Sequence, residues 1–389
     1  MRKKWLGKAF LAAVGLFVGL VFAEVVLRCV KYQRLGSHPV ALGELLHSVR
    51  VAWAMRAHPG PARHEDAQDD ERDPAMIATL QLLRGLTGDE LYMAAWRATY
   101  LERGLPLPKK VSRSGFWGRL IGDKTKHPLL TWHEPQKTVP GMFTMSELGL
   151  QQVGPESARV QILILGGSVA WGAAASSEDR SYFTQLQRRL VTYDIVSRVS
   201  VLACGGWVSS QEFIALTLKG MSLAPDVVVF FDGLNDLTQL NWLPHEERGR
   251  YYLETMALAK RTLAKQRPSA KVVYALQPLS LRKRYKTPVE RVALERYPDH
   301  AAILQQYLRL QKGLGELANE NAYLVDLADV LGDERASTFT DIWHFTEPGE
   351  DIVATTLADA LAVILTQRMR AGARPAIPER HLDPAARAQ

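Results

Sequence analysis

Five short apolar runs stand out in the second half of the chain. They cover residues 160–165, 199–203, 227–231, 271–276 and 323–325. Runs of this length, rich in valine, isoleucine and leucine, are typical of strands buried on both faces of a parallel sheet. After the first run, residues 182–190 place Phe183, Leu186 and Leu190 on one helical face. The pattern predicts an α/β fold built on a five-stranded parallel sheet.

A further apolar stretch, residues 9–23, lies near the N-terminus and follows a basic flank that ends at Lys8. Residues 5–6 and 25–27 extend it towards the ~20 residues that a membrane span needs. We therefore predict a signal anchor over residues 1–34, with a transmembrane helix. The alternative is a signal peptide cleaved after residues 21–23. The basic flank predicts a cytoplasmic N-terminus, with the rest of the chain on the other side of the membrane.

Residues 35–144 carry helical patterns at 40–55, 75–83 and 90–102. Thr87 and Glu90 have the spacing of a capping box for the last of these. Residues 58–74, rich in proline and charge, are typical of a solvated linker. We expect a helical extension over 35–144, either a subdomain covering one edge of the sheet or a spacer from the membrane. A main domain over 145–370 and a disordered tail over 371–389 complete the predicted organisation.

Glycine-rich and polar segments follow four of the predicted strands. They are Gly166-Gly167-Ser168, Gly205-Gly206, Gly233-Leu234-Asn235-Asp236 and Asp341-Ile342-Trp343-His344. In an open parallel sheet, ligands bind beyond the carboxyl ends of the strands, so these segments are expected at one edge. A nucleophilic serine needs a base, the base needs a group that orients it, and the oxyanion needs preorganised donors. The four segments offer all of these groups, and this chemistry requires no metal or cofactor.

The segments LILGGSVAWG, ACGGWVSSQ, VVVFFDGLNDL and FTDIWHFTEPG resemble the four sequence blocks of the SGNH (GDSL-type) hydrolase family. The resemblance runs from about residue 145 to the helix that follows His344. Gly-Gly-Ser stands where the family usually has Gly-Asp-Ser, and Met145 stands where asparagine is usual in the lead-in to the first strand. The resemblance implies a three-layer α/β/α sandwich and hydrolysis of an ester bond.

By this resemblance Ser168 is the nucleophile, His344 the base and Asp341 the residue that orients it. Asp341 and His344 are three residues apart, so a helical turn would project both from one side. The oxyanion donors would be the backbone N–H of Ser168, that of Gly206 and the side-chain amide of Asn235. Gly205 is the alternative to Gly206, because family members usually have more residues between the two glycines. Each motif alone could be a turn or a helix cap, and only their joint order favours catalysis.

Four residues next to these motifs are predicted to bind substrate, with core packing as the equal alternative. They are Asp232, Trp171, Trp207 and Gln277, and Trp343 is a further candidate. Cys204, one of two cysteines in the chain, is expected to be an inert buried thiol with no bridge to Cys29.

Several other functions find no support in the sequence. The segment GGSVA lacks the last glycine of the G-x-S-x-G elbow, and neither H-E-x-x-H nor G-K-[ST] occurs. The net charge of +7 and the basic run at residues 282–286 indicate a basic surface, most simply a solvated loop. Nucleic acid is not an expected partner, and attraction to anionic lipid or acidic polysaccharide is a weaker possibility.

These inferences lead to a serine esterase that hydrolyses acyl or acetyl esters on envelope glycans or lipids through an acyl-serine intermediate. Two alternatives use the same residues differently. The acyl group could pass to a sugar hydroxyl, which would make the protein an O-acyltransferase, or the fold could be a catalytically silent, membrane-tethered protein for glycan binding or assembly. The expected location is the bacterial inner membrane, single-pass, with the catalytic domain on the periplasmic side.

Overall fold

The computed structural model describes residues 74–87, 90–95, 124–139, 143–173, 175–240, 242–297 and 300–370. The strands are β1 Thr125–His127, β2 Thr131–His133, β3 Lys137–Val139, β4 Phe143–Met145, β5 Gln151–Val153, β6 Val160–Gly166, β7 Ser197–Ala203, β8 Val227–Asp232, β9 Lys271–Leu276 and β10 Ala322–Asp326. The α-helices are α1 Pro74–Arg84, α2 Tyr182–Thr192, α3 Ser209–Leu218, α4 Leu234–Gln239, α5 His245–Gln266, α6 Pro288–Glu295, α7 His300–Leu317 and α8 Glu347–Arg370. Short 3₁₀ turns lie at Glu178–Arg180, Gly220–Leu223 and Ser280–Arg282.

A six-stranded sheet forms the centre of the fold, in the order β10-β9-β8-β6-β7-β5. The five predicted strands are all present and run parallel to one another. The prediction of a purely parallel sheet was nevertheless wrong, because β5 pairs antiparallel with β7, placing Gln151 opposite Val201. A strand of three residues is too short for its sequence pattern to be recognised. The sheet is therefore mixed, with one antiparallel edge.

Helices cover both faces of this sheet, which gives the predicted three layers. Ile162 and Ile164 point into a core that α2 and α8 close, and Leu163 and Leu165 point into a second core closed by α3, α5 and α7. All four side chains are at most 1% exposed. Burial of one such side chain stabilises the fold by about 1.5–3 kcal/mol. Alternating strand residues thus hold both helical layers on the sheet.

The first described helices belong to the predicted extension. Helix α1 matches the pattern at 75–83, and residues 90–95 are helical. The predicted capping box is formed, because the Thr87 backbone N–H donates to Glu90 Oε2 (2.7 Å) and the Glu90 N–H donates to Thr87 Oγ1 (3.3 Å). Helix α1 lies against α6, where Arg84 makes a bidentate ion pair with Glu295 (2.6 and 2.7 Å).

The sequence predicted a helical extension over residues 35–144, but the described part of it also contains strands. Two antiparallel hairpins, β1–β2 and β3–β4, follow the helices, and the second crosses the predicted domain boundary at residue 145. Within the described ranges, no helix is long and apolar enough to cross a membrane. The predicted anchor over 1–34, Cys29, the helical pattern at 40–55, the linker up to residue 73 and the tail over 371–389 lie outside those ranges.

Candidate active site

Ser168 lies two residues beyond the end of β6, in the turn that leads away from the sheet. The turn is held by two backbone hydrogen bonds, from Trp171 N to Gly167 O (3.0 Å) and from Ala173 N to Ser168 O (3.2 Å). Ser168 is partly exposed, whereas its immediate neighbours on both sides are buried. The fold therefore presents this hydroxyl at the carboxyl edge of the sheet.

His344 and Asp341 meet Ser168 from a loop between β10 and α8. His344 Nε2 lies 2.7 Å from Ser168 Oγ, and His344 Nδ1 lies 2.7 Å from Asp341 Oδ2. With the ring proton on Nδ1, Asp341 accepts that hydrogen bond and Nε2 is free to accept the serine proton. The structure thus brings the three predicted residues into one hydrogen-bonded line.

The expected helical turn between Asp341 and His344 is not formed. Asp341 Oδ1 instead accepts from the backbone N–H groups of Trp343 (2.9 Å) and His344 (2.7 Å), which is an Asx-type turn. Around it, Thr340 N donates to His344 O (2.8 Å). The aspartate therefore shapes the loop with one oxygen and orients the imidazole with the other.

A buried ion pair anchors the same loop and was missed in the sequence. Lys283 and Glu290 are each 1% exposed and lie 2.7 Å apart. Glu290 Oε1 accepts from the backbone N–H groups of Thr338 (3.0 Å) and Phe339 (3.1 Å), and Lys283 donates to Ala336 O (2.6 Å). The basic run at 282–286 is consequently not wholly a solvated loop. The sequence T-P-x-E at 287–290 is typical of a capping box. Its contact with residues 336–339 joins segments almost fifty residues apart and leaves no local sequence signal.

Asn235 lies in the first turn of α4, and its amide is held on two sides. Its Nδ2 donates to Trp207 O (2.7 Å), and its Oδ1 accepts from Gln239 Nε2 (3.1 Å). A Cβ on residue 167 would lie only 2.2 Å from that Nδ2. The amide therefore packs directly over Gly167, beside Ser168, and only glycine leaves it that space.

Gly205 and Gly206 follow the end of β7, at the same edge of the sheet as Ser168. Gly206 has φ +82°, a conformation that favours glycine. Among the described residues, neither the Gly206 N–H nor the Ser168 N–H donates to a protein acceptor. Both predicted backbone donors are thus available to a ligand.

Three carboxyl groups are buried behind the site. Tyr252 donates to Asp232 Oδ1 (2.6 Å), and Ser209 donates to Asp236 through both its hydroxyl (2.5 Å) and its N–H (2.9 Å). Burial and the nearby Asp232 charge raise the pKa of Glu212 well above its ordinary value. Burial likewise raises the pKa of Asp236 to about 7. Among the described residues, no cluster of histidine, cysteine and acidic side chains could hold a metal ion.

The four predicted substrate-binding residues lie close to the site but are nearly inaccessible. Trp171, Trp207, Asp232 and Gln277 are at most 5% exposed. Trp207 donates through Nε1 to Trp132 O (2.9 Å), and Trp171 packs against Phe143. Burial of this degree favours a packing role for all four over direct contact with substrate.

Half-buried aromatic residues are better placed to meet a substrate. Trp343, next to His344, packs edge-to-face on Tyr297 with ring centroids 4.8 Å apart. Trp132 was not predicted, because no motif lies near it in the sequence. Its ring carbon Cζ2 lies 3.6 Å from where a Cβ on Gly206 would stand. Cys204 is fully buried, and burial and the neighbouring Glu134 raise the pKa of its thiol. It fits the inert role predicted for it.

Residues 164–352 match the protein family described as GDSL-like lipase/acylhydrolase. This match spans all four motifs, and this part of the chain is a GDSL-type acylhydrolase domain. The protein is accordingly an ester hydrolase. No curated protein sequence matches the chain.

Solved structures of low overall similarity include several esterases. An acetyl xylan esterase is 18% identical, with 52% of this chain and 100% of that chain covered at a TM-score of 0.41. A lipase from a goat rumen metagenome is 15% identical, with 52% and 97% covered at a TM-score of 0.42. A family 3 carbohydrate esterase from Clostridium thermocellum is 19% identical, with 54% and 98% covered at a TM-score of 0.39.

Proposed function

We propose that the protein is a serine esterase that removes ester-linked acyl groups from a glycan through an acyl-serine intermediate. The observation that carries this proposal is the unbroken line from Ser168 Oγ through His344 to Asp341, with two hydrogen bonds of 2.7 Å. A hydroxyl in this setting can lose its proton to the imidazole as it attacks a carbonyl carbon.

The reaction follows from this geometry in two half-reactions. Ser168 Oγ bonds to the ester carbonyl carbon while His344 Nε2 takes the hydroxyl proton, and Asp341 stabilises the imidazolium. The oxyanion accepts hydrogen bonds from the N–H groups of Ser168 and Gly206 and from the Asn235 amide. The bond from the carbonyl carbon to the alcohol oxygen then breaks, and His344 returns its proton to the departing alcohol. Water repeats the sequence on the acyl-serine and releases the acid.

The aromatic side chains at the site support a glycan as the alcohol part of the ester. Trp343, Tyr297 and Trp132 are half-buried around His344 and Gly206. Aromatic rings present a large, rigid apolar surface beside a polar group, which suits the mixed surface of a sugar. Transfer of the acyl group to a second sugar hydroxyl would use the same residues and differs only in the exclusion of water.

The decisive experiment combines labelling with turnover. Wild-type protein should react with a fluorophosphonate probe and hydrolyse p-nitrophenyl acetate, whereas Ser168→Ala and His344→Ala should do neither. Ser222→Ala, an exposed serine whose hydroxyl caps a turn through Lys219 O, is the matched control. Equal labelling of wild type and Ser168→Ala would remove this serine from the mechanism.

A second experiment separates hydrolysis from transfer. It uses acyl esters of increasing chain length, with and without a sugar acceptor, and acylated acceptor as the main product would identify a transferase.

We also propose that the catalytic domain is tethered outside the inner membrane by residues 1–34. The proposal rests on the basic flank and the apolar stretch at 9–23. Alkaline phosphatase fused after residue 40 should be active, and the full chain should remain with membranes after a high-salt wash. Release into the soluble fraction with a new N-terminus near Glu24 would instead show a cleaved signal peptide.

A further inference from the structure

The peptide group between Gly205 and Gly206 is held from the side opposite the reaction. Its carbonyl belongs to Gly205 and its N–H belongs to Gly206, so a contact with one end of this rigid, planar unit fixes the other end. Two donors converge on the Gly205 carbonyl: Lys124 Nζ at 2.5 Å and Trp132 Nε1 at 3.2 Å. Both come from the β1–β2 hairpin and the residue that precedes it, more than seventy residues earlier in the chain.

The two donors also support each other. Lys124 Nζ lies 5.5 Å from the centre of the Trp132 ring, within reach of a cation–π interaction. The Trp132 carbonyl in turn accepts from Trp207 Nε1 (2.9 Å), and the Trp207 carbonyl accepts from the Asn235 amide (2.7 Å). One chain of contacts therefore links the hairpin to two of the three predicted oxyanion donors.

A peptide between two glycines needs such a restraint. Glycine occupies positive and negative φ with similar ease, so this peptide could turn over and present its carbonyl to the oxyanion instead of its N–H. A charge-assisted hydrogen bond from a lysine is about twice as strong as a neutral one, and it holds the carbonyl on the hairpin side. Hydrogen bonding at the carbonyl also polarises the same amide and strengthens its N–H as a donor.

We infer that Lys124 and Trp132 are positioning residues of the oxyanion hole, which hold the Gly205 carbonyl so that the Gly206 N–H faces the reacting ester. This inference rests on the proposed esterase function and extends it. It assigns the donor to Gly206 rather than Gly205, because the clamped peptide carries the Gly206 N–H. It also gives the segment before the hydrolase domain a part in catalysis, exerted through the Gly205-Gly206 peptide.

The test uses full-length Lys124→Met, Trp132→Phe and the double variant, with Lys126→Met as the matched control. Lys126 is an exposed lysine on the same hairpin. The two single variants should each lower kcat roughly tenfold, a part of the hundred- to thousandfold effect of losing a donor outright. KM for p-nitrophenyl acetate, which has no sugar to contact Trp132, should stay within about twofold, because the contact with the Gly205 carbonyl matters in the transition state. Lys124→Arg should recover most of the rate, since it keeps the cation.

Four results would overturn the inference while the esterase function stands. The first is an active wild type with kcat unchanged in both Lys124→Met and Trp132→Phe, and the second is a rise in KM with no change in kcat. The third is a loss of kcat that Lys126→Met shows equally. The fourth is a fall in kcat that only parallels a fall in Tm and is not recovered in Lys124→Arg. The last result would mean that the contacts merely dock the hairpin.

A readout independent of turnover separates this inference from the proposed function. In protein labelled with ¹⁵N-glycine, the Gly206 amide signal, assigned by its loss in Gly206→Ala, should move upfield in Lys124→Met, which keeps the Trp132 ring, and stay in place in Lys126→Met. An unmoved signal would overturn the clamp even if the wild type proved active. A moved signal in a wild type without esterase activity would support the clamp and reject the esterase.

Discussion

The close approach of the Asn235 amide to Gly167 makes residue 167 a sensitive test of the oxyanion hole. The family usually has aspartate at this position, so the proposed perturbation, Gly167→Ala, restores only the first atom of a side chain. That Cβ would stand 2.2 Å from Asn235 Nδ2. Ordinary contact needs about 3.5 Å, so the amide must retreat by more than ~1 Å.

The size of the effect follows from this displacement. An error of ~1 Å in the position of a catalytic group costs about a hundredfold, and complete loss of an oxyanion donor costs about 100–1000-fold in kcat. We expect Gly167→Ala to lower kcat into that range, with KM within about twofold. Gly167 is not among the residues with positive φ, so the substitution strains no backbone angle and Tm should hardly change.

Steady-state kinetics with p-nitrophenyl acetate and a thermal melt make the measurement. Gly315→Ala is the matched control, because a Cβ there meets nothing closer than 4.0 Å and lies within α7. That control should retain full activity and gain a few tenths to 1 kcal/mol of stability. A Gly167→Ala enzyme with kcat within threefold of wild type would refute the argument, and so would one that loses Tm in proportion to activity.

Three further predictions concern the loop anchor, the buried carboxyl groups and the aromatic residues. Glu290→Gln should destabilise the fold by about 3–5 kcal/mol in urea titrations, because Lys283 is left as a buried unpaired charge. The double variant Lys283→Met/Glu290→Gln should recover part of that loss. Equal stability of the single and double variants would contradict this reasoning. The raised pKa of Glu212 means that its proton is bound more tightly in the folded state, so the free energy of unfolding should fall as pH rises above about 4.5. Glu212→Gln should flatten this fall between pH 5 and 8, and parallel curves would argue against it. Trp343→Ala should raise KM for an acetylated oligosaccharide by about fivefold, as expected for the loss of ~1 kcal/mol of ring contact. KM for p-nitrophenyl acetate should not change. An equal rise in KM for both esters would exclude a sugar contact.

The hydrogen-bonded line from Ser168 through His344 to Asp341 and the parallel strands could be predicted because their signals are local. An apolar run reveals a buried strand, and the residues that follow it reach the same edge whatever the loop lengths. The sequence alone was therefore sufficient to select Ser168, Asn235 and His344 as candidates. The Asx turn at Asp341 was not predicted, since a spacing of three residues fits a helical turn equally well.

The supporting contacts were not predictable, because they join segments far apart in the chain. Lys124 reaches Gly205 across 81 residues, and Lys283 was read as part of an exposed basic run, whereas its charge is buried against Glu290. Burial favours packing for Trp171 and Trp207, for which the sequence left packing and substrate contact equally open. A residue type and its immediate neighbours do not encode which distant backbone carbonyl or carboxylate it will meet.

The direction of β5 has a consequence for how this architecture can diversify. Because β5 runs against the other five strands, its first residue, Gln151, lies opposite Val201, towards the carboxyl end of β7. The chain before it is therefore delivered to the edge that carries Ser168, whereas a parallel strand would have delivered it to the opposite edge. Insertions upstream of residue 151 that leave Lys124 and Trp132 in place thus arrive beside Ser168, outside the six strands of the sheet. For an engineer seeking a new substrate range, this segment is the place to graft loops, and a fragment trimmed to residues 164–352 would discard it.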